Sequence, residues 1–298
     1  MEWDDKLIYI YCTVCQFFSQ TPAHKKIRKS PNQILEFTDE EVITTFIYGL
    51  IEGHKSLKNI HQFIYVYLKE WFPKFPNYSA VHHRLDELAY EIVAFADYFN
   101  RQFSNDDKNK TILIDSMPII IAKGSRSGFS KIAKGFANLG YCASKKLYYW
   151  GVKFHLFAEC QTNSLPKPHL LEITQASTHD LNAVKRLLSE FQETEFIADK
   201  AYGSKKVRVK LLEQKNILHT PIKLTKKKKF LTEDEAKYSQ IVNSIRQPIE
   251  SFFNWIIEKT GIQNASKVRS ERGLVIHIFG RYAAALLLLV LQGKVSVT

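Results

Sequence analysis

Two stretches decide how this chain is read: Thr111-Ile112-Leu113-Ile114-Asp115 and Glu195-Phe196-Ile197-Ala198-Asp199. Each is a short apolar run of strand length that ends in an aspartate. A carboxylate just past a buried strand is held by rigid backbone and still reaches the edge of the sheet. Taken singly, an aspartate there also serves as a helix cap or turn residue. Two in matching places, on strands that would be neighbours, set two carboxylates on one cleft.

Working outward, Leu147 to Cys160 (LYYWGVKFHLFAEC) reads as a second strand, and His169 to Ile173 as a third. Lys153 and His155 alternate with apolar neighbours, which lines them along a cleft or on a wet sheet face. His179-Asp180 reads as a helix cap rather than a catalytic dyad, because Leu181, Val184, Leu187, Leu188 and Phe191 follow at helical spacing. After Asp199 come a helix through Val207, Leu211 and Leu212 and a short strand at Ile217-Leu218. Helices are expected at 248–260 and 270–292. Strands alternating with helices predict an α/β layer with a mixed sheet. Two stretches, 124–146 and 221–245, are basic and without strong periodicity, and read as loops.

Residues 1–108 read as all helical. Thr38 and Glu41 form a capping-box start, Val42, Phe46 and Leu50 follow on one face, and Gly53 ends the helix. A second run from Leu57 to Trp71 stops at Pro73. A third begins near Ser79 and carries Val81, Leu85, Leu88, Ile92 and Phe95. Three short helices fit either a helix-turn-helix module, with His82, His83 and Arg84 turned to DNA, or a bundle with a solvated face.

A third acid is expected from the late helices. Glu250 follows Pro248, a residue suited to a first helical turn, and precedes Phe252, Phe253 and Ile256, which can dock on a sheet. Arg246 can bind that carboxylate or a phosphate. Glu258, beside Lys259, reads as solvated. Converging carboxylates are hard oxygen ligands suited to Mg²⁺, with Mn²⁺ as a substitute. Paired ions about 3.5–4 Å apart serve in-line displacement at phosphorus.

Charge agrees with a phosphate substrate. The 298-residue chain carries a formal net charge of +12. Residues 1–110 hold 13 basic and 15 acidic residues, net −2, and residues 111–298 hold 29 and 15, net +14. A surplus so placed points to nucleic acid ahead of an anionic membrane. The start, Met1-Glu2-Trp3-Asp4-Asp5, lacks a leader pattern. Tyr282 to Leu291 is about half of a spanning helix, so a buried core helix in a soluble chain is expected, with no membrane partner. Cys12-x-x-Cys15 lacks a second pair and sits in an apolar helical segment, so packed thiols in a reducing cytoplasm are expected. No Ser-His-Asp order or phosphate-binding glycine loop is present.

On these residues the chain resembles the bacterial insertion-sequence DDE transposases. Ala198-Asp199-Lys200-Ala201-Tyr202-Gly203-Ser204 resembles their second-aspartate motif, Ile114-Asp115-Ser116-Met117-Pro118 their first, and Arg246-x-x-x-Glu250 their third-acid motif. The layout, including YYWGVKFHL and ASTHD between the aspartates, is most similar to the insertion-sequence 982 family. The resemblance covers most of the chain and implies a ribonuclease-H-like mixed sheet flanked by helices, preceded by an all-α domain. The catalytic domain would run over 109–298 with basic insertions near 124–146 and 221–245. Asp115, Asp199 and Glu250 would bind the catalytic metals, two ions. Lys200 and Tyr202, close after Asp199, would contact phosphate or brace the loop, Tyr202 fitting a packing role equally well, and Arg246, Lys259, Lys153 and Arg84 are the other expected DNA contacts. Related families place Tyr three residues before the arginine and Lys seven after the glutamate. Here those positions are Asn243 and Ile257, and Lys259 is the nearest basic residue.

The expected function is metal-dependent cleavage at insertion-sequence ends and strand transfer into target DNA, in the bacterial cytoplasm at the nucleoid. Terminal inverted repeats and target DNA are the partners, and a dimer or larger assembly forms on DNA. The rival readings are a nuclease without joining activity and a DNA-binding protein without a working site.

Overall fold

A computed structural model describes residues 3–22, 35–103, 110–185, 187–224 and 228–295. It falls into two compact units. The boundary expected at 108/109, and Lys226 and Lys227 of the basic run, lie outside the described residues.

The first unit comprises residues Met1–Gln102, Ile256–Ile262 and Val268–Val297. Its helices are α1 (Trp3–Gln20), α2 (Asp39–Ile51), α3 (Leu57–Tyr67), α4 (Tyr78–Glu87) and α5 (Ala89–Arg101). The capping box at α2 forms as read: Thr38 and Glu41 satisfy each other's backbone N–H groups. The run expected as one helix from Ser79 is two, with Leu88 between them.

The last helix of the chain, at Glu271–Leu291, packs along α5 and α2 in this unit. It is the one helix among the described residues long and apolar enough to cross a membrane. Here it is a core element. Leu286, Leu287 and Leu289 are fully buried. Its polar groups are also met inside the unit: buried Arg281 donates to the Thr260 and Lys55 carbonyls, and Tyr282 Oη donates to Asn100 at 2.6 Å.

The second unit comprises Phe103–Trp255 and Gln263–Lys267. Its strands are β1 (Thr111–Lys123), β2 (Asn138–Cys142), β3 (Leu147–Glu159), β4 (Lys167–Gln175), β5 (Glu195–Ala198) and β6 (Ile217–His219). Helix α6 (Asp180–Val184) precedes β5, α7 (Lys205–Glu213) precedes β6, and α8 (Glu233–Thr260) follows it. α9 is the Glu271–Leu291 helix already described. Among the described residues the sheet runs β2-β3-β1-β5-β6, with β4 also on β3. β2, β3, β4 and β1 pair antiparallel, and β1, β5 and β6 pair parallel. This is the mixed, helix-flanked, ribonuclease-H-like sheet that the resemblance implies.

Three differences from the sequence reading bear on the site. First, β1 does not stop at Asp115 but continues to Lys123 against β3. Pro118 is tolerated there because β5 ends beside Ile114. Ile120 N–H, which shares Pro118's direction, goes to the Gln263 carbonyl instead of β3, so no ladder bond is lost at the proline. Second, the 124–146 loop contains β2. Gly140 hides it, and is needed because a Cβ there would lie 2.5 Å from the Ala176 carbonyl oxygen. Third, α8 starts at Glu233, within the stretch read as loop, so Pro248 sits inside the helix and Glu250 is far from its start. A second capping box, Thr232 with Glu235, sets that earlier start.

Candidate active site

The parallel register of β1 and β5 builds the centre. Leu113 pairs with Ile197 and Ile114 with Ala198, and the next residues along both strands are Asp115 and Asp199. Neighbouring strands stand about 4.8 Å apart, so the two aspartates are side by side. They share a face by alternation. Ile112, Ile114, Phe196 and Ala198 point the other way, into an apolar cluster with Tyr202, Val207 and Leu211. Asp199 leads into a tight turn at Lys200–Tyr202 and makes no capping hydrogen bond.

Helix α8 supplies the third acid. Buried Ile249, Phe252 and Ile256 hold the helix, and Phe253 meets Phe154 of β3 edge to face at 6.3 Å. One turn apart on this helix, Arg246 and Glu250 reach the aspartates' side of the sheet. Arg246 Nη1 donates to Asp115 Oδ2 at 2.7 Å, and its Nη2 donates to Glu250 Oε1. Asp115 Oδ1 accepts from the Ser116 backbone N–H at 2.8 Å. Burial pushes the Asp115 carboxyl up to about 6; Arg246 and the Ser116 N–H oppose that, and the charges of Asp199 and Glu250 add to it. Asp115 therefore senses both other acids, and one guanidinium bridges it to Glu250. Arg246 Nε remains without a hydrogen-bond partner.

The opposite face carries a second polar group of residues. Lys153 donates to Asp180 Oδ1 at 2.9 Å and to the Thr178 carbonyl at 2.8 Å. Ser116 Oγ donates to the same Asp180 oxygen at 3.3 Å. His155 is fully buried, bonded to Thr174 Oγ1 at 2.8 Å, and burial pushes its imidazole down to about 4. Buried Tyr202 lies beside Ser116 without a hydrogen bond of normal geometry, and burial, then Asp180, raise its hydroxyl well above the usual range.

The structure thus brings together Asp115, Asp199, Arg246 and Glu250, with Lys200 beside Asp199, and separates the remaining expected site residues from them. Neither Lys153 nor His155 lines the acid cleft: Lys153 lines an open pocket with Thr178 and Asp180 on the other face, and His155 is fully buried. Tyr202 is a core residue of the far side. Lys200 is exposed beside Asp199. Arg84 is held by Asp39 of α2, Nε to Oδ1 at 2.6 Å. Lys259 pairs with Glu258; nine residues past Glu250 it lies half a turn round the helix, whereas position 257 would share Glu250's face. His179, rather than Asp180, caps α6. Cys12 and Cys15 are free thiols. The sequence reading missed Ser116 and Asp180 as partners, and missed the reach of Arg246 to Asp115. The i, i+4 spacing of Arg246 and Glu250 signals their own pairing, but nothing in local sequence signals the contact to Asp115.

The donor set suits a hard divalent cation: three carboxylates, all oxygen, with more negative charge than one arginine balances. As placed, no three acid, histidine or cysteine side chains among the described residues enclose an ion. The Arg246 guanidinium stands between Asp115 and Glu250 and supplies there the positive charge that a cation would bring.

Comparison with known proteins agrees with this geometry. The family model described as a transposase DDE domain matches residues 106–288. That span begins just before β1 and includes all four residues of the cleft. No curated protein and no solved structure matches the chain.

Proposed function

The chain belongs to the transposase DDE domain family, whose members are enzymes acting on DNA, and from that premise we propose that it cuts DNA at the ends of an insertion sequence and joins them to target DNA. The observation that carries this reading is the in-register pair Asp115 and Asp199, coupled electrostatically to Glu250 across the Arg246 contact. Within the family, we propose membership of the insertion-sequence 982 group, which the motif order resembles.

Asp115, Asp199 and Glu250 would hold Mg²⁺ or Mn²⁺, two ions in all. Bound there, such ions activate the attacking oxygen and stabilise the leaving one. The chain's own part is placement. The strand pair fixes Asp115 and Asp199, and the α8 turn fixes Glu250. Arg246, which spans Asp115 and Glu250, would turn its planar fork to a scissile phosphate on releasing one of those acids. The exposed Lys200 next to Asp199 binds the neighbouring phosphate. The helical residues 1–108 read the terminal repeats. Two ends must meet before joining, so the active form on DNA is a dimer or larger. The enzyme works in the cytoplasm, on the nucleoid.

The test is a strand-transfer assay with purified protein, Mg²⁺ and pre-cut element ends. Joined product is expected. Asp115→Asn, Asp199→Asn and Glu250→Gln should each reduce it by roughly 10²-fold or more, the scale of losing one charge-stabilising group. Hydrolysis without joining would instead identify a nuclease. Full activity in the Asn variants would remove the carboxylates from the mechanism.

A further inference from the structure

From Ser116 to Ala158 the chain carries no Asp or Glu and seven Lys or Arg residues. Three aromatic side chains stand in solvent within that stretch: Phe129 is 86% exposed, Tyr148 62% and Tyr141 49%. The two tyrosines form one feature. β2 and β3 are joined by a tight turn in which Lys146 N–H donates to the Ala143 carbonyl at 3.2 Å. Tyr141 and Tyr148 are direct cross-strand partners, with ring centroids 4.8 Å apart and planes tilted by 47°. Lys145 and Lys146 lie in the turn between them, and Lys145 is anchored to Gln263.

A half-exposed ring pair among cations, with no acid in 43 consecutive residues, matches one ligand chemistry. Lysines track a phosphate backbone, and every base offers a π-face to a ring. In duplex DNA the base faces are stacked on one another, and phosphate contacts alone would leave the tyrosines without a role. A protein partner fits poorly, since six of the seven cations are lysines, which are depleted at protein interfaces. The platform is also aligned with the acid cleft. Leu156 pairs with Asp115, and Tyr148 lies eight residues earlier on β3, an even count that puts it on the same pleat face. That separation is about 26 Å along the strand.

We propose that the β2–β3 hairpin is a stacking platform for unpaired bases of the DNA strand that runs to the Asp115 cleft, with Tyr141 and Tyr148 as the stacking rings. This rests on the transposase reading for the presence of such a strand. It is tested by fluorescence anisotropy of the full chain with a labelled 20-nucleotide single strand and with a blunt duplex of equal length, at fixed salt. Tyr141→Ala with Tyr148→Ala should weaken single-strand binding by about 5- to 150-fold per stacked base. Duplex affinity should be unchanged, and Tyr141→Phe with Tyr148→Phe should retain single-strand binding. Unaltered single-strand affinity in the Ala variant, or equal losses on both DNAs, overturns the platform alone. A wild-type chain that binds neither DNA overturns the transposase reading and the platform together.

Discussion

Arg246 links positions 131 residues apart, and its loss should be felt through Asp115. That carboxyl is already pushed up to about 6, with Arg246 the main influence holding it down. Removing the guanidinium raises it further. A carboxyl whose folded value lies above its unfolded one favours the folded state at low pH, and that contribution is lost as pH rises through the folded value. Arg246→Ala should therefore destabilise more at pH 8, where Asp115 must stay charged without its partner, than at pH 5, where it takes up a proton. About 1.5–3 kcal/mol is expected at the higher pH, the worth of a hydrogen bond to a charged group. Chemical denaturation at both pH values measures the difference. Equal losses would mean that Arg246 contributes through the packing of its stem. The Asp115 contact was not legible in the sequence, because spacing along a chain reports only neighbours on one element. The adjacency of Asp115 and Asp199 was legible, because each follows a short apolar run that local sequence carries, even though β1 itself runs on to Lys123.

Elements were read well where apolar periodicity is strong and poorly where a special residue interrupts it. β3 and β5 emerged from their runs. β2 did not, since Gly140 breaks a five-residue strand for the sake of the Ala176 backbone. α8 was read from Pro248 onward because proline marks first turns, whereas the basic, weakly amphipathic residues before it resembled a loop. Inside the helix Pro248 cannot donate to the Ser244 carbonyl. Proline in a helix interior costs about 3 kcal/mol relative to alanine. Pro248→Ala should thus stabilise the chain by about 1–3 kcal/mol, read as a raised denaturation midpoint. Pro248 also lies between Arg246 and Glu250, so the same variant should lower strand transfer by shifting the two groups relative to each other. A variant that is more stable and fully active would show that the site does not depend on the interrupted helix.

At the scale of the whole molecule, the fold class and the charge asymmetry were legible, but the helices that bury α9 were not. Composition shows that a helix must be buried, not which partner buries it. That placement has a consequence on acidification. His277 of α9 is buried, bonded to the Ile262 carbonyl at 2.8 Å, and pushed down to about 3 by burial and then by Arg281. Between about pH 6.5 and 4 the unfolded imidazole binds a proton and the folded one does not, so stability falls with falling pH. The limiting slope is about 1.4 kcal/mol per pH unit for one proton. In the sheet unit, His155 at about 4 contributes with the same sign. Asp115, raised to about 6, contributes with the opposite sign over nearly the same window, because the folded carboxyl holds a proton that the unfolded one has released. The two offset each other there, and nothing described for His277 is offset in the helical unit. Hydrogen exchange at pH 7 and pH 5, corrected for intrinsic rates, should show protection lost in α9 and α5 before β1 and β3. His277→Gln should flatten the pH response of the helical unit and leave that of the sheet unaltered. Loss of protection in the sheet first would place the acid-sensitive group in the cleft instead.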